Sequence, residues 1–397
     1  MRPTKTCDSM DYEIVSGQQQ HIIFAYGQST TNIGYHGPNN RGNAVVTLYP
    51  ATANSTVGIQ KAKALKAVKQ LAATSNLNTV SIQFPNVTVP STLTSYLCVH
   101  FELPSDQKYH VVQYEGIITT NVVHHMIMYG CTGKPSSFGD LYECSSMTAA
   151  CSQFTLAWVP GAGTILFPAQ AGFAIGTGVN AIRYFALQIH YNNQDNLSNL
   201  IDSSGLKIYY TTVLRPNDIG ILTLGNEEIK IPANSPNFTS TTWNVCPASC
   251  TKQFSQNLTV ISNGFHMHTL GYNITTKQIR NGQEIATLGD RNYYNFFYQG
   301  ASPPTDPNAV IMPGDTLLTR CTYLPSSRSY TTRFGESTTN EMCFNFVTYY
   351  PAMPNIAVCL GSSQQQMAAC STQANLESLT GGSSLNVTAI ANAMAKG

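Results

Sequence analysis

Charge is what this sequence has least of. Asp, Glu, Lys and Arg make up only 10% of its 397 residues, and the formal net charge is +1. So neutral a chain offers no electrostatic footprint to nucleic acid or to an anionic membrane surface, and composition excludes both as partners. Long apolar runs are missing too. Residues 144–182 carry no charged side chain, but Pro160, Pro168 and repeated glycines interrupt them. They read as buried strands and loops, not as a membrane span. The opening "MRPTKTCDSMDYE" lacks the apolar stretch of a signal peptide. No paired CxxC knuckles mark a zinc framework.

The low charge is made up by Ser, Thr, Asn, Gln and Tyr. With 29 Gly and 20 Pro, this composition suits β-rich architecture with many turns. Eleven cysteines, spread along the chain, read as a disulfide framework and an oxidising compartment. Glycosylation sequons at Asn54, Asn86, Asn196, Asn237, Asn257, Asn273 and Asn386 point the same way. The expected location is therefore secreted or in the lumen of the secretory pathway. The N-terminus conflicts with that, and the conflict resolves if the chain is a fragment, or a truncated gene product, of a secreted protein.

The length suits two or three domains. Residues 1–58 contain short alternating segments such as "HIIFAYG". Residues 59–76 hold the clearest helical pattern, with Ile59, Ala62, Leu65, Val68 and Leu71 on one face and lysines elsewhere. They read as a linker helix. From residue 77 the pattern is almost wholly β. The polar "LRPNDIG" at 214–220 is the natural boundary between two halves, 77–217 and 218–362. Residues 363–397 are rich in Ser, Gln and Ala and read as a loose tail. The expected fold is all-β, with two tandem antiparallel sandwiches.

Histidines carry the chemistry. His124 and His125 stand side by side in "NVVHHMIMYGC". In a regular strand their side chains would point to opposite faces. If both hold one ion, the strand must be bulged or twisted there, or must coordinate through Nδ1. His190 lies in "FALQIHYNN", where an apolar strand runs out into a turn. His266 and His268 form H-x-H in "NGFHMHTLG", which places both rings on one strand face. Met342, in "NEMCFNFVTYY", adds a thioether, and thioether with imidazole favours Cu(I). His21, His36, His100 and His110 read as ordinary polar or half-buried histidines. H-x-H alone would also suit a zinc hydrolase, but no Asp or Glu stands nearby in sequence to act as base.

Six ordered motifs, "TSYLC", "VHHMIMYGC", "LQIHYNN", "SSGLKIYYT", "FHMHTLG" and "EMCFNFVTYYP", give residues 85–360 a resemblance to the copper type II, ascorbate-dependent monooxygenases. "CPASC" and "SSGLKIYYTTVL" resemble the dopamine β-monooxygenase branch, and residues 6–49 resemble the end of the DOMON module that precedes its core. The resemblance implies jelly-roll-like sandwiches, one copper each, facing across a solvent-filled cleft. His124, His125 and His190 would hold the first copper, which transfers electrons. His266, His268 and Met342 would hold the second, where dioxygen and substrate react. It further implies two copper ions per chain, ascorbate as reductant and dioxygen as co-substrate. One oxygen atom would enter a C–H bond of a small molecule and the other would leave as water. Tyr96 and Gln188 match positions near the first copper associated with electron transfer or ligand support.

The peptide-amidating branch grips a peptide carboxylate with an arginine where this chain has Gly264. Its polar contacts after the methionine fall at Phe344 and Phe346. With Tyr349, these residues suggest an aromatic or apolar substrate. The same resemblance implies the disulfides Cys98–Cys144, Cys131–Cys151, Cys321–Cys343 and Cys246–Cys359. It leaves Cys7, Cys250 and Cys370 open, between Cys250–Cys370 and Cys7–Cys370. A homo-oligomer is also left open. The competing reading, outside enzymes, is a copper-binding or DOMON-type ligand-binding secreted protein that keeps the fold.

Overall fold

The computed structural model describes residues 20–25, 41–46, 369–371 and, apart from short internal stretches, 77–360. The helix expected over 59–76 lies outside the described residues. The chain divides into two compact units, Met1–Leu77 and Asn78–Gly397. In the first, Gln20–Ala25 pairs antiparallel with Arg41–Val46. The second contains two β-sandwiches. Among the described residues, no helix is long and apolar enough to cross a membrane.

In the first sandwich a five-stranded sheet runs Leu141–Glu143, Thr94–Glu102, Tyr184–Asn192, Val123–Cys131, Gln153–Trp158. It packs on a six-stranded sheet centred on Lys108–Ile117 and Gly205–Thr211. The strand period decides what faces what. Phe185, Leu187, Ile189 and Tyr191 enter the core with Val111, Phe173 and Ile208. Ala186, Gln188 and His190 therefore face the other way, yet are also buried. A sheet covered on both faces needs a second layer on its outer side.

The second sandwich pairs Leu258–His266, Phe344–Tyr350 and Gly220–Gly225 in one sheet, and Gly271–Arg280, Gln283–Arg291 and Thr316–Tyr323 in the other. Its core includes Leu222, Leu224, Leu258, Leu317, Val347 and Tyr349. The tail that composition marked as loose supplies one strand, Ala369–Ser371, which extends the first of these sheets. Disulfides bond Cys98–Cys144, Cys131–Cys151, Cys246–Cys359 and Cys321–Cys343. Cys250 is disulfide-bonded as well.

The segment joining the sandwiches is tied down by polar contacts. The buried His110 meets Asp218 through Nε2 at 2.8 Å and accepts the Arg215 backbone N–H at Nδ1. Lys108 and Asn180 add donors to Asp218. The half-buried reading of His110 was therefore too weak: it is 1% exposed and anchors this crossing.

Candidate metal centre

Strand register brings the first three histidines together. His190 lies opposite His125, and Tyr191 lies opposite Val123. His124 is thus the extra residue of a bulge. Val123, Met126 and Met128 point into the core. Regular alternation would put His124 on that side too, and the bulge flips it outward beside His125. Their Nδ1 atoms are 3.1 Å apart. Each ring stands edge-on to His190, with centroids 4.9 and 4.7 Å away. All three residues are buried, and their ligand nitrogens lie within 4.8 Å of one another.

Burial lowers all three pKa values, that of His124 to about 3 and those of His125 and His190 well below the ordinary range. The rings are neutral at pH 7, with lone pairs to give. Both nitrogens of His190 are buried with no hydrogen-bond partner among the described residues. An unsatisfied buried polar atom costs about 1–3 kcal/mol. A metal ion at the centre of the triad would answer that cost, so the residues fit copper.

The second set is built differently. His266 ends its strand and His268 lies two residues beyond, their rings perpendicular at 5.2 Å. His266 pairs with Phe344 across the sheet, so Met342 falls at the level of His268. Met342 is buried, and its carbonyl accepts from the Tyr323 hydroxyl. Hydrogen bonds fix both rings. His266 Nδ1–H donates to Gln299 Oε1 at 2.7 Å, and the Gln299 amide N–H donates to the Phe296 carbonyl. His268 Nδ1–H donates to the Asn340 carbonyl at 3.1 Å. Each ring keeps its Nε2 for a metal. Burial lowers both imidazole pKa values, that of His268 to about 3.

Glu341 is the residue that the sequence reading missed. It is fully buried, and its carboxylate accepts the backbone N–H of His268 at 2.9 Å and of Leu270 at 2.6 Å. A carboxylate does therefore sit beside H-x-H, supplied from 73 residues away. Its oxygens are committed to peptide N–H groups, so it is badly placed to serve as a hydrolytic base. Gln299 was equally invisible in sequence. The "NEMC" motif held a signal for Glu341, next to Met342; nothing local marked Gln299.

The two sets meet. His125 and His266 have ring centroids 6.0 Å apart, and Phe296 of the second sandwich stacks on His124 at 4.1 Å. This corrects the expected solvent-filled cleft: here aromatic rings occupy the space between the sets. Tyr96 stacks on His190 at 4.3 Å. Gln188 lies on the His190 face of its strand, and its amide N–H donates to the Cys144 carbonyl at 2.8 Å beside the Cys98–Cys144 disulfide.

Of the expected substrate residues, three share a place and one does not. Gly264 lies opposite Phe346 on the neighbouring strand, and Phe346 is 5.9 Å from Phe344. Phe154 of the first sandwich stacks on Phe346 at 4.2 Å. Tyr349 faces the other way, into the core against Gly220, and is 1% exposed. Its assignment to the pocket was wrong, because odd and even positions of one strand lie on opposite faces. Glu336 neighbours Glu227, and it neighbours Tyr129, whose ring stands edge-on to Phe154 at 6.3 Å. Burial, with Glu227 as a neighbour, raises the Glu336 pKa, and Glu336 acts electrostatically on Tyr96 and Tyr129.

Two all-β domains with neutral histidine clusters define a class of metalloprotein. Comparison with known sequences narrows it. Residues 80–198 match the copper type II ascorbate-dependent monooxygenase N-terminal domain, and residues 217–372 match its C-terminal domain. The chain belongs to the copper type II ascorbate-dependent monooxygenase family. Dopamine beta-hydroxylase of Rattus norvegicus is 30% identical over 367 residues, covering 88% of this chain and 56% of the relative. The Canis lupus familiaris protein of that name is 32% identical over 366 residues, with the same coverage. Tyramine beta-hydroxylase of Caenorhabditis briggsae is 32% identical over 286 residues, covering 68% of this chain and 48% of the relative. The chain thus spans about half the length of these relatives.

Proposed function

We propose that this chain is the catalytic core of a copper- and ascorbate-dependent monooxygenase that hydroxylates a C–H bond of a small aromatic amine. Dioxygen is the co-substrate, and each chain takes two copper ions. The observation that carries the reading is the convergence of five neutral imidazoles, four of them buried and one with both nitrogens unpartnered among the described residues. When bound, copper supplies one-electron chemistry with ascorbate and activates dioxygen.

The protein's own contribution is placement. His124, His125 and His190 hold the first ion, and His266, His268 and Met342 the second. Gln299 and Asn340 keep the Nδ1 protons of the second pair, so each ring presents Nε2. Phe154, Phe344 and Phe346 form an apolar shelf for an aromatic ring. The carboxylates of Glu336 and Glu227 suit an ammonium group, and a peptide carboxylate would meet repulsion there. The residues before 59 are read as the end of a DOMON-like module, and disulfides and sequons favour a glycosylated protein of the secretory pathway.

Metal analysis and oxygen uptake test this. Two coppers per chain, with ascorbate-dependent oxygen uptake on at least one aryl-ethylamine, are expected. Glu336→Gln should raise KM for that amine several-fold with kcat little changed. Two coppers with no uptake on any aryl-ethylamine would sink the aromatic-amine substrate, and less than two coppers per chain would sink the two-site copper reading.

A further inference from the structure

The loop between Phe334 and Met342 touches both sandwiches. It is tight: Asn340 N–H donates to the Ser337 carbonyl, and a side chain at Gly335 would run into Asn340. Its tip rests on the first sandwich. The Tyr96 hydroxyl donates to the Glu336 carbonyl at 2.9 Å, and Thr94 meets Thr338 at 3.3 Å between their hydroxyl oxygens. Its base holds the second set. There Asn340 takes the His268 ring proton, Glu341 takes the His268 and Leu270 backbone N–H groups, and Met342 follows directly. Arg328 clamps the middle, donating to the Thr339 carbonyl and the Thr269 hydroxyl.

We propose that Tyr96 is a positioning residue whose ring rests on His190 while its hydroxyl seats the 336–342 loop, so that one side chain links a first-set ligand to the backbone that carries Met342 and aligns His268. The purpose of this link rests on the copper reading above; the link itself does not.

The geometry sets this role apart from that of an electron relay. Oxidising a neutral tyrosine makes its hydroxyl proton strongly acidic, so a relay needs a base to receive it. The Tyr96 proton points at a peptide carbonyl, which is not a base. The group is built to donate a hydrogen bond and keep its proton.

Tyr96→Phe keeps the stack on His190 and removes only the hydroxyl. Hydrogen–deuterium exchange on the metal-free protein reads the loop directly. Exchange at the His268, Leu270 and Met342 amides should quicken roughly three- to tenfold, as expected for one hydrogen bond. The strand Asn78–Gln83, remote from the loop, should be unchanged. Thr94→Val should give a smaller rise at the same amides. The copper-loaded Tyr96→Phe protein should also show weaker Cu(I)–sulfur scattering in X-ray absorption. Unchanged exchange at the three amides, or an equal rise in Asn78–Gln83, would overturn the proposal. Failure of the protein to bind copper would overturn the functional reading and leave the exchange result standing.

Discussion

The two histidine sets solve one problem by opposite means. The first is written into a sheet. His190 and His125 are paired neighbours on central strands, and a single bulge turns His124 to join them. The second is assembled where strands end: His266 closes the ladder opposite Phe344, and His268 lies beyond it. It relies on Gln299, Asn340 and Glu341, contributed from 33, 72 and 73 residues away. Backbone register is stiff and cooperative, whereas single hydrogen bonds are each worth about 1 kcal/mol. The first site should therefore tolerate change around it, and the second should be tunable and fragile. That division suits a pair in which one centre only passes electrons and the other must admit dioxygen and substrate.

The largest expected effect comes from emptying one set at a time. Met342→Ile should cut product formation by at least ~100-fold, beyond what loss of a residue behind a ligand costs. Its first copper should remain, with an unchanged Cu(II) electron paramagnetic resonance signal from that site. His190→Ala should do the reverse, lowering first-site copper while Cu(I)–sulfur scattering from the second persists. If either substitution removed both ions, the sets would not be independently built, and the contrast between them would fail.

Glu341 comes next. Glu341→Ala strands the buried N–H groups of His268 and Leu270 and should lower stability by about 2–4 kcal/mol. Urea unfolding measures this. Glu341→Gln keeps one acceptor and should recover at least half of the loss. No comparable substitution beside the first triad should do as much, because sheet hydrogen bonds hold it; Gln188→Ala, next to the Cys98–Cys144 disulfide, is the control.

The pH dependence of the metal-free protein tests both sets together. The five imidazoles have folded pKa values below the unfolded value of 6.5, because burial disfavours the cation. Below pH 6.5 the unfolded chain takes up protons that the folded chain refuses. Stability present above that pH is therefore lost as pH falls. Glu341 acts the other way: burial pushes its carboxyl up to about 7, and its contribution grows as pH falls from 7 towards 4.5. Burial also lowers the His100 pKa and raises those of Glu227, Asp290 and Glu336, so six imidazoles oppose four carboxyls and Tm should drop between pH 7 and pH 5. A Tm that rises over this range would mean that the rings are not buried neutral. Bound copper should flatten the dependence, since a ligated nitrogen cannot take a proton.

How much of this was legible in the sequence follows from the same contrast. The His124–His125 pair announced its own bulge, because two neighbours on a strand cannot otherwise share a face. Parity could also have separated Tyr349 from Phe344 and Phe346, since it differs from both by an odd number of positions. The motif "FNFVTYY" was read as one aromatic group when it is two faces. What Glu341 and Gln299 hold was beyond reach for another reason, although "NEMC" marked Glu341 itself. They act through loops folded back over tens of residues, and local periodicity says nothing about where a loop returns. The closeness of the two sets belongs to the same category, since it depends on how two sandwiches pack and not on any strand.

Gln299 gives the smallest and sharpest test. Its side chain does two things: Oε1 takes the His266 ring proton, and the amide N–H reaches the Phe296 carbonyl. Phe296 in turn stacks on His124. Gln299→Ala should weaken copper at the second site roughly tenfold, the lower end for residues that orient a ligand. Gln299→Glu keeps the acceptor and should restore most of that affinity, although its charge loses the bond to Phe296. First-site affinity should move by less than about threefold in both variants, because His124 is held by its strand and keeps its own Nε2 hydrogen bond to the Phe296 carbonyl at 3.2 Å. Competition titration with a Cu(I) chelator resolves the two sites. A first-site change as large as the second would show that Phe296 transmits position between the sets, and that the sheet-built site is no stiffer than the loop-built one.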